Sequence, residues 1–121
     1  MKDLNYLKLA LRQFAAERDW DQFHSPKNLS MALAVEASEL MEHFQWLTED
    51  ESSALDEETF KLVRDEIADV QVYLIRIADK LEIDLVDAVD QKMIKNKQKY
   101  PVEKVKGSAK KYTAYQVSDE G

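Results

Sequence analysis

Cysteine is absent from this 121-residue chain, which excludes a disulfide framework, a thiolate metal site and a cysteine nucleophile. Glycine and proline number two each, and both glycines, Gly107 and Gly121, stand near the C-terminus. Phosphate-cradling loops and dinucleotide-binding turns need several glycines between a strand and a helix, so both are excluded. Long apolar runs are missing too. The opening MKDLNYLKLALRQF is amphipathic and broken by charge, with neither the apolar centre of a signal peptide nor the length of a membrane span. The expectation is a cytoplasmic protein with no membrane partner. The length suits one domain, expected over residues 1–115, followed by a loose tail at 116–121.

The net charge of −7 is unevenly spread, because residues 91–111 hold eight lysines against Glu103 alone. A basic segment on an acidic body suits a small polyanionic ligand better than a nucleic-acid polymer. Taken alone, it suits a solvated helix end equally well.

Apolar periodicity predicts four helices. Leu4, Leu7, Leu11 and Phe14 recur at intervals of three and four, which predicts a first helix over residues 3–18. DWDQFHSPK at 19–27 breaks the pattern. Ser25 before Pro26 is a cap followed by a first-turn proline, and the second helix is expected to reach about Trp46. After an acidic loop at 47–55, Asp56, Glu57 and Glu58 open a third helix lasting to about Leu81. Asp84 caps a fourth that reaches Tyr100, where Pro101 halts it. The remainder is polar and basic, with aromatic residues at Tyr112 and Tyr115. These elements imply an all-α fold, a four-helix bundle whose core is completed by oligomerisation.

Four carboxylates interrupt this pattern. At ~100° per residue, Leu29, Leu33, Glu36, Leu40 and Phe44 share one stripe of the second helix, with Glu39 at its flank. On the third, Glu66, Asp69 and Tyr73 border Val63, Val70, Leu74 and Ile77. A single ExxE pair is more often a solvated surface pair. Two pairs on the inner faces of successive helices crowd negative charge into a poorly solvated cleft, which demands a counter-cation. Ligation by oxygen alone suits Mg²⁺ or Mn²⁺ rather than zinc or copper, and Mg²⁺ is the expectation. Asp65 and Glu42 point away and are expected to be solvated. His43, one turn beyond Glu39, reads as a partly buried histidine paired with a nearby acid in preference to a further ligand.

Lys92 and Asn96 share the side of the fourth helix that carries Leu85, Val89, Met93 and Tyr100. A point charge and a directional donor one turn apart suit phosphate oxygens, although a lysine in such a place can also extend outward along its stem. Trp20, Phe23, His24 and Trp46 offer flat faces and polar edges of the kind that stack on a nucleobase, and aromatic residues so placed also serve as core.

The strings FAAERDWDQFHSPKNL, EASELMEHFQW, RDEIADVQVYL, KMIKNKQKYP and KKYT together resemble the MazG-like all-α nucleoside triphosphate pyrophosphohydrolases, most closely their dCTP pyrophosphatase branch. The similarity spans residues 11 to about 115. It implies Mg²⁺ bound by Glu36, Glu39, Glu66 and Asp69, base recognition by Trp20, Asp21, Gln22, Phe23, His24 and Trp46, and Tyr73 beside the sugar. Lys92 and Asn96 match the family's KxxxN element and would hold phosphates, with Lys99 a further candidate. The implied assembly is a homodimer or homotetramer. The implied reaction is attack of water on the α-phosphorus of a deoxynucleoside triphosphate, giving the monophosphate and pyrophosphate. The chain departs from close relatives at Leu11, where they carry histidine, and at His43, where they are apolar.

Charge then dictates the mechanism. A triphosphate and four carboxylates repel each other, so cations must bridge them and acidify the attacking water. Glu39, at the flank of its stripe, is the expected proton acceptor. Two alternatives stay open: a related hydrolase acting on dUTP or on NTPs broadly, and a non-catalytic helical oligomerisation module.

Overall fold

A computed structural model of the chain describes residues 1–108; residues 109–115 of the expected domain, with Tyr112 and Tyr115, and the expected tail at 116–121 lie outside the described residues. All regular structure among the described residues is helical: α1 (Leu4–Glu17), a 3-10 turn (Asp21–Phe23), α2 (Pro26–Glu42), α3 (Glu49–Ser52), α4 (Glu57–Lys80), α5 (Leu85–Lys99) and α6 (Val102–Val105). No helix among them is long and apolar enough to cross a membrane. The chain divides into two compact units, residues 1–83 and the part from Asp84 onward.

The four long helices expected from periodicity are present, and each starts at an acidic or hydroxyl cap. Asp3, Ser25, Asp56 and Asp84 each accept a hydrogen bond from the backbone N–H three residues on, satisfying an amide that the helix leaves free. The second helix stops at Glu42, short of the expected Trp46, because residues 43–47 tighten into turns closed by Phe44 N–H to Met41 O and Leu47 N–H to Phe44 O. The expected acidic loop contains α3, built on a capping box: Thr48 Oγ1 accepts from Glu51 N–H at 3.1 Å, and Thr48 N–H donates to Glu51 Oε1 at 2.8 Å.

In the first unit α4 is the central element, with α2 packed along it and α1 against it. His24, just before α2, meets Arg76 late in α4, whereas Glu36 meets Glu66 earlier in α4, so α2 and α4 run antiparallel. Leu29, Val63, Ile75 and Ala78 form the core between them, with Ala15 of α1. Of the first helix's periodic residues, Leu4 and Leu11 are half-buried, while Leu7 and Phe14 remain exposed; the fully buried residue of α1 is the small Ala15.

Both α1 and α4 end in Schellman motifs. Trp20 N–H reaches Ala15 O with Asp19 N–H on Ala16 O, and Ile83 N–H reaches Ala78 O with Glu82 N–H on Asp79 O. The residue that must turn left-handed is Asp19 (φ 53°) in one and Glu82 (φ 56°) in the other, where glycine is preferred. Relief of the Cβ clash, less the extra freedom glycine gives the unfolded chain, predicts that Glu82→Gly stabilises the protein by about 0.5–1 kcal/mol in urea titration.

Candidate metal centre and nucleotide-binding elements

The antiparallel contact of α2 and α4 brings three carboxylates together. One oxygen from each of Glu36, Glu39 and Glu66 lies within 4.8 Å of the others, and all three side chains are half-buried. The inward stripe on α2 explains this placement: Leu29 is buried, and Leu33, Glu36, Leu40 and Phe44 are half-buried in sequence. Oε2 of Glu36 and Oε2 of Glu66 are buried with no hydrogen-bond partner. Ionised carboxylates only accept, so these neighbours can satisfy one another only by sharing a proton.

The electrostatics follow from that crowding. Desolvation, proton sharing with Glu66 and Glu39, and repulsion from both push the Glu36 carboxyl up to about 7. Glu66 is also raised, first by desolvation and then by Glu39 and Asp69, while sharing a proton with Glu36 acts the other way. Two orphaned oxygens inside a three-carboxylate cluster are the donor set a hard divalent cation takes, and Glu36, Glu39 and Glu66 could hold one. Asp69 stands outside this trio on an exposed part of α4, although its charge reaches Glu66. Tyr73 is half-buried one turn further along, and Asp65 and Glu42 are exposed.

The loop at 19–24 is pinned rather than loose. Trp20 packs edge-on against Phe14 of α1 with ring centroids 5.7 Å apart. Gln22 turns back, its amide donating to Asp19 O and Asp19 Oδ2 at 3.0 Å each. Phe23 O accepts from the Asn28 side chain at 2.9 Å, while the Phe23 ring is left exposed. Asp21 pairs with Lys80 at 2.5 Å and with Arg76 at 3.0 Å, and these cations, Lys80 first, hold its carboxyl below the usual range. His24 is half-buried against Arg76; burial and then the guanidinium charge lower its pKa. Trp46, in the turns after α2, is 86% exposed.

Sequence reasoning missed the anchor of this loop. Arg76 is only 3% exposed, and Arg12 of α1 grips Asp79 through Nη2 at 2.6 Å and Nε at 3.1 Å. The one local signal was position: Arg76 continues the row Glu66, Asp69, Tyr73 by another step of three. In the second unit, Lys92 and Asn96 lie exposed on α5 beside the exposed Val89 and Met93.

With this geometry the chain belongs to the MazG-like family, whose model matches residues 31–114. Among individual proteins, dCTP pyrophosphatase 1 of Mus musculus is 46% identical over 103 residues, 84% of this chain and 61% of that protein. The Homo sapiens dCTP pyrophosphatase 1 is 42% identical over the same span. The chain therefore spans 61% of the length of these relatives. A crystal structure of a pyrophosphatase from Archaeoglobus fulgidus superposes with a TM-score of 0.78 at 40% identity, covering 84% of this chain and 94% of that one.

Proposed function

We propose that this protein is a Mg²⁺-dependent nucleoside triphosphate pyrophosphohydrolase whose preferred substrate is dCTP or a modified dCTP. The observation that carries the reading is the three-carboxylate cluster between α2 and α4, with its two orphaned oxygens, in a chain 42–46% identical to dCTP pyrophosphatases. The family match runs across the junction at residues 83 and 84, which supports treating residues 1–115 as one functional unit. A cytoplasmic location, read from the cysteine-free composition, belongs to the same proposal.

Glu36, Glu39 and Glu66 would hold the cation, with Asp69 contributing from the flank. When bound, the ion supplies Lewis acidity and the positive charge that lets a triphosphate approach an acidic cluster. Glu39 accepts the proton of the attacking water. The bond from the α-phosphorus to its bridging oxygen breaks, and pyrophosphate leaves with that oxygen. Trp46 and the loop at 20–24 hold the base, Tyr73 lies toward the sugar, and Lys92 and Asn96 take phosphate oxygens by virtue of their charge and amide donor.

Assembly with a second copy is part of the proposal. Phe60, Ile67, Leu74 and Leu81 recur every seven residues along α4 and its cap and are all exposed, a stripe of the kind helices bury against a partner. A homodimer or homotetramer would cover it.

The test is pyrophosphate release from a panel of triphosphates with and without Mg²⁺. The expected result is metal-dependent turnover, with dCTP ahead of dUTP and of the purine nucleotides. Equal rates on all would remove the dCTP assignment, and no turnover at all would leave the oligomerisation module. Cation loading carries its own signature: with Glu36 near 7, Mg²⁺ binding at neutral pH should release protons. Calorimetry in buffers of different ionisation enthalpy reads this directly.

A further inference from the structure

Arg76 lies ten residues along α4 from Glu66, about 15 Å of helix, too far to share in holding a cation. Its guanidinium instead ties three groups together. Nη2 donates to Asp21 Oδ1 at 3.0 Å, Nη1 to Asp79 Oδ2 at 3.4 Å, and Nε to His24 Nδ1 at 3.4 Å with Nη2 at 3.3 Å from the same nitrogen. A guanidinium has donors only and keeps its proton throughout the working range of pH. The histidine nitrogen that faces it must therefore present a lone pair, which puts the ring proton on Nε2 and leaves the imidazole neutral.

The surrounding charges act the same way. Lys80 and Arg76 from α4 bear on His24, Asp21 from the loop partly offsets them, and Asp79 is engaged by Arg12 of α1. The cation nearest the ring is thus a fixed guanidinium, not a mobile proton.

We propose that Arg76 is a positioning residue for base recognition: it clamps Asp21 and His24 to α4 and holds His24 as a donor whose Nε2–H meets an acceptor on the pyrimidine edge, a ring nitrogen or carbonyl oxygen of cytosine. The proposal rests on the hydrolase reading above, and its two halves are tested separately. Nitrogen-15 NMR of the histidine rings in the full-length protein reads the first. The expected spectrum shows His24 with an unprotonated Nδ1 and a protonated Nε2 at pH 7. In Arg76→Gln the same ring should titrate at higher pH than in the wild type, with burial still holding it below the usual histidine range, whereas Arg76→Lys should restore part of the wild-type behaviour. A wild-type ring protonated on Nδ1, or doubly protonated at pH 7, overturns the tautomer assignment.

Should Arg76 variants fail to fold, the histidine itself provides the second pair. His24→Asn can still offer Arg76 an acceptor near the Nδ1 position but has no donor where Nε2 was. His24→Gln keeps a donor near Nε2 and gives up the contact to Arg76. If the donor reads the base, Asn raises KM for dCTP about tenfold and Gln about twofold, the loss falling on KM more than on kcat. If His24 is merely structural, Asn is the milder change and its KM equals that of wild type, which overturns the recognition half. Absence of any triphosphate hydrolysis by the wild-type protein overturns the functional reading and the recognition half with it, and leaves the tautomer result standing.

Discussion

Replacing Glu36 by glutamine should abolish turnover, by at least about a thousandfold in kcat/KM, the scale of removing electrostatic stabilisation from a reacting centre, while making the metal-free protein more stable. The two effects share one cause. Glu36 has its carboxyl pushed up to about 7 by desolvation and by Glu66 and Glu39, and a neutral amide relieves that repulsion while supplying a donor to the orphaned Oε2 of Glu66. For a group whose folded pKa lies above its unfolded value near 4.5, the native state binds more protons between the two. Stability of the wild type without metal therefore falls as pH rises from about 4.5 to 7, by the linkage of proton binding to folding. The glutamine variant should lose the share of this slope that Glu36 contributes and keep that of Glu66. Thermal denaturation across that range, in parallel with Mg²⁺ calorimetry, checks both halves. Wild-type Mg²⁺ affinity or wild-type rate in the variant would remove Glu36 from the metal centre.

Trp46→Ala should raise KM for dCTP about tenfold and leave stability within about 0.5 kcal/mol, since stacking on one base is worth ~1–3 kcal/mol and an exposed ring contributes little to folding. Trp46 is the cleaner of the two tryptophans for this test. Its ring is 86% exposed, whereas Trp20 packs against Phe14, itself covered by the Arg18 guanidinium 3.7 Å from its centroid, so loss of Trp20 mixes binding with folding. Guanidinium denaturation and steady-state kinetics on the same Trp46 sample separate the quantities. An unchanged KM would contradict the stacking role.

Features set by neighbouring residues were legible in the string. Ser25, Asp56 and Asp84 cap the helices they were expected to start, because a cap needs only a side-chain oxygen three residues before a free amide. The inward position of Glu36 followed from the 3.6-residue repeat of Leu29, Leu33, Leu40 and Phe44. The helix α3 reads as loop although Thr48 and Glu51 spell its capping box, since four residues carry no apolar period. The exposure of Asp69 could not be read, because a flank position on α4 is decided by how closely α2 approaches. The clamp of Arg76 on His24 and Asp21 joins residues 52 and 55 apart in sequence, and that of Arg12 on Asp79 joins residues 67 apart. Pairings at that range depend on the tertiary path, and no local spacing encodes them.

The acids of α2 and the acid of α4 face each other across an antiparallel seam. An ion gripped by both sides works as a removable rivet between two rods joined in sequence only by residues 43–56. Loading should slow amide exchange in the middle of both rods, and a chelator should restore it. In a chain that owns no thiol, supply of a divalent ion bound there, rather than redox state, would decide how firmly this pair is pinned.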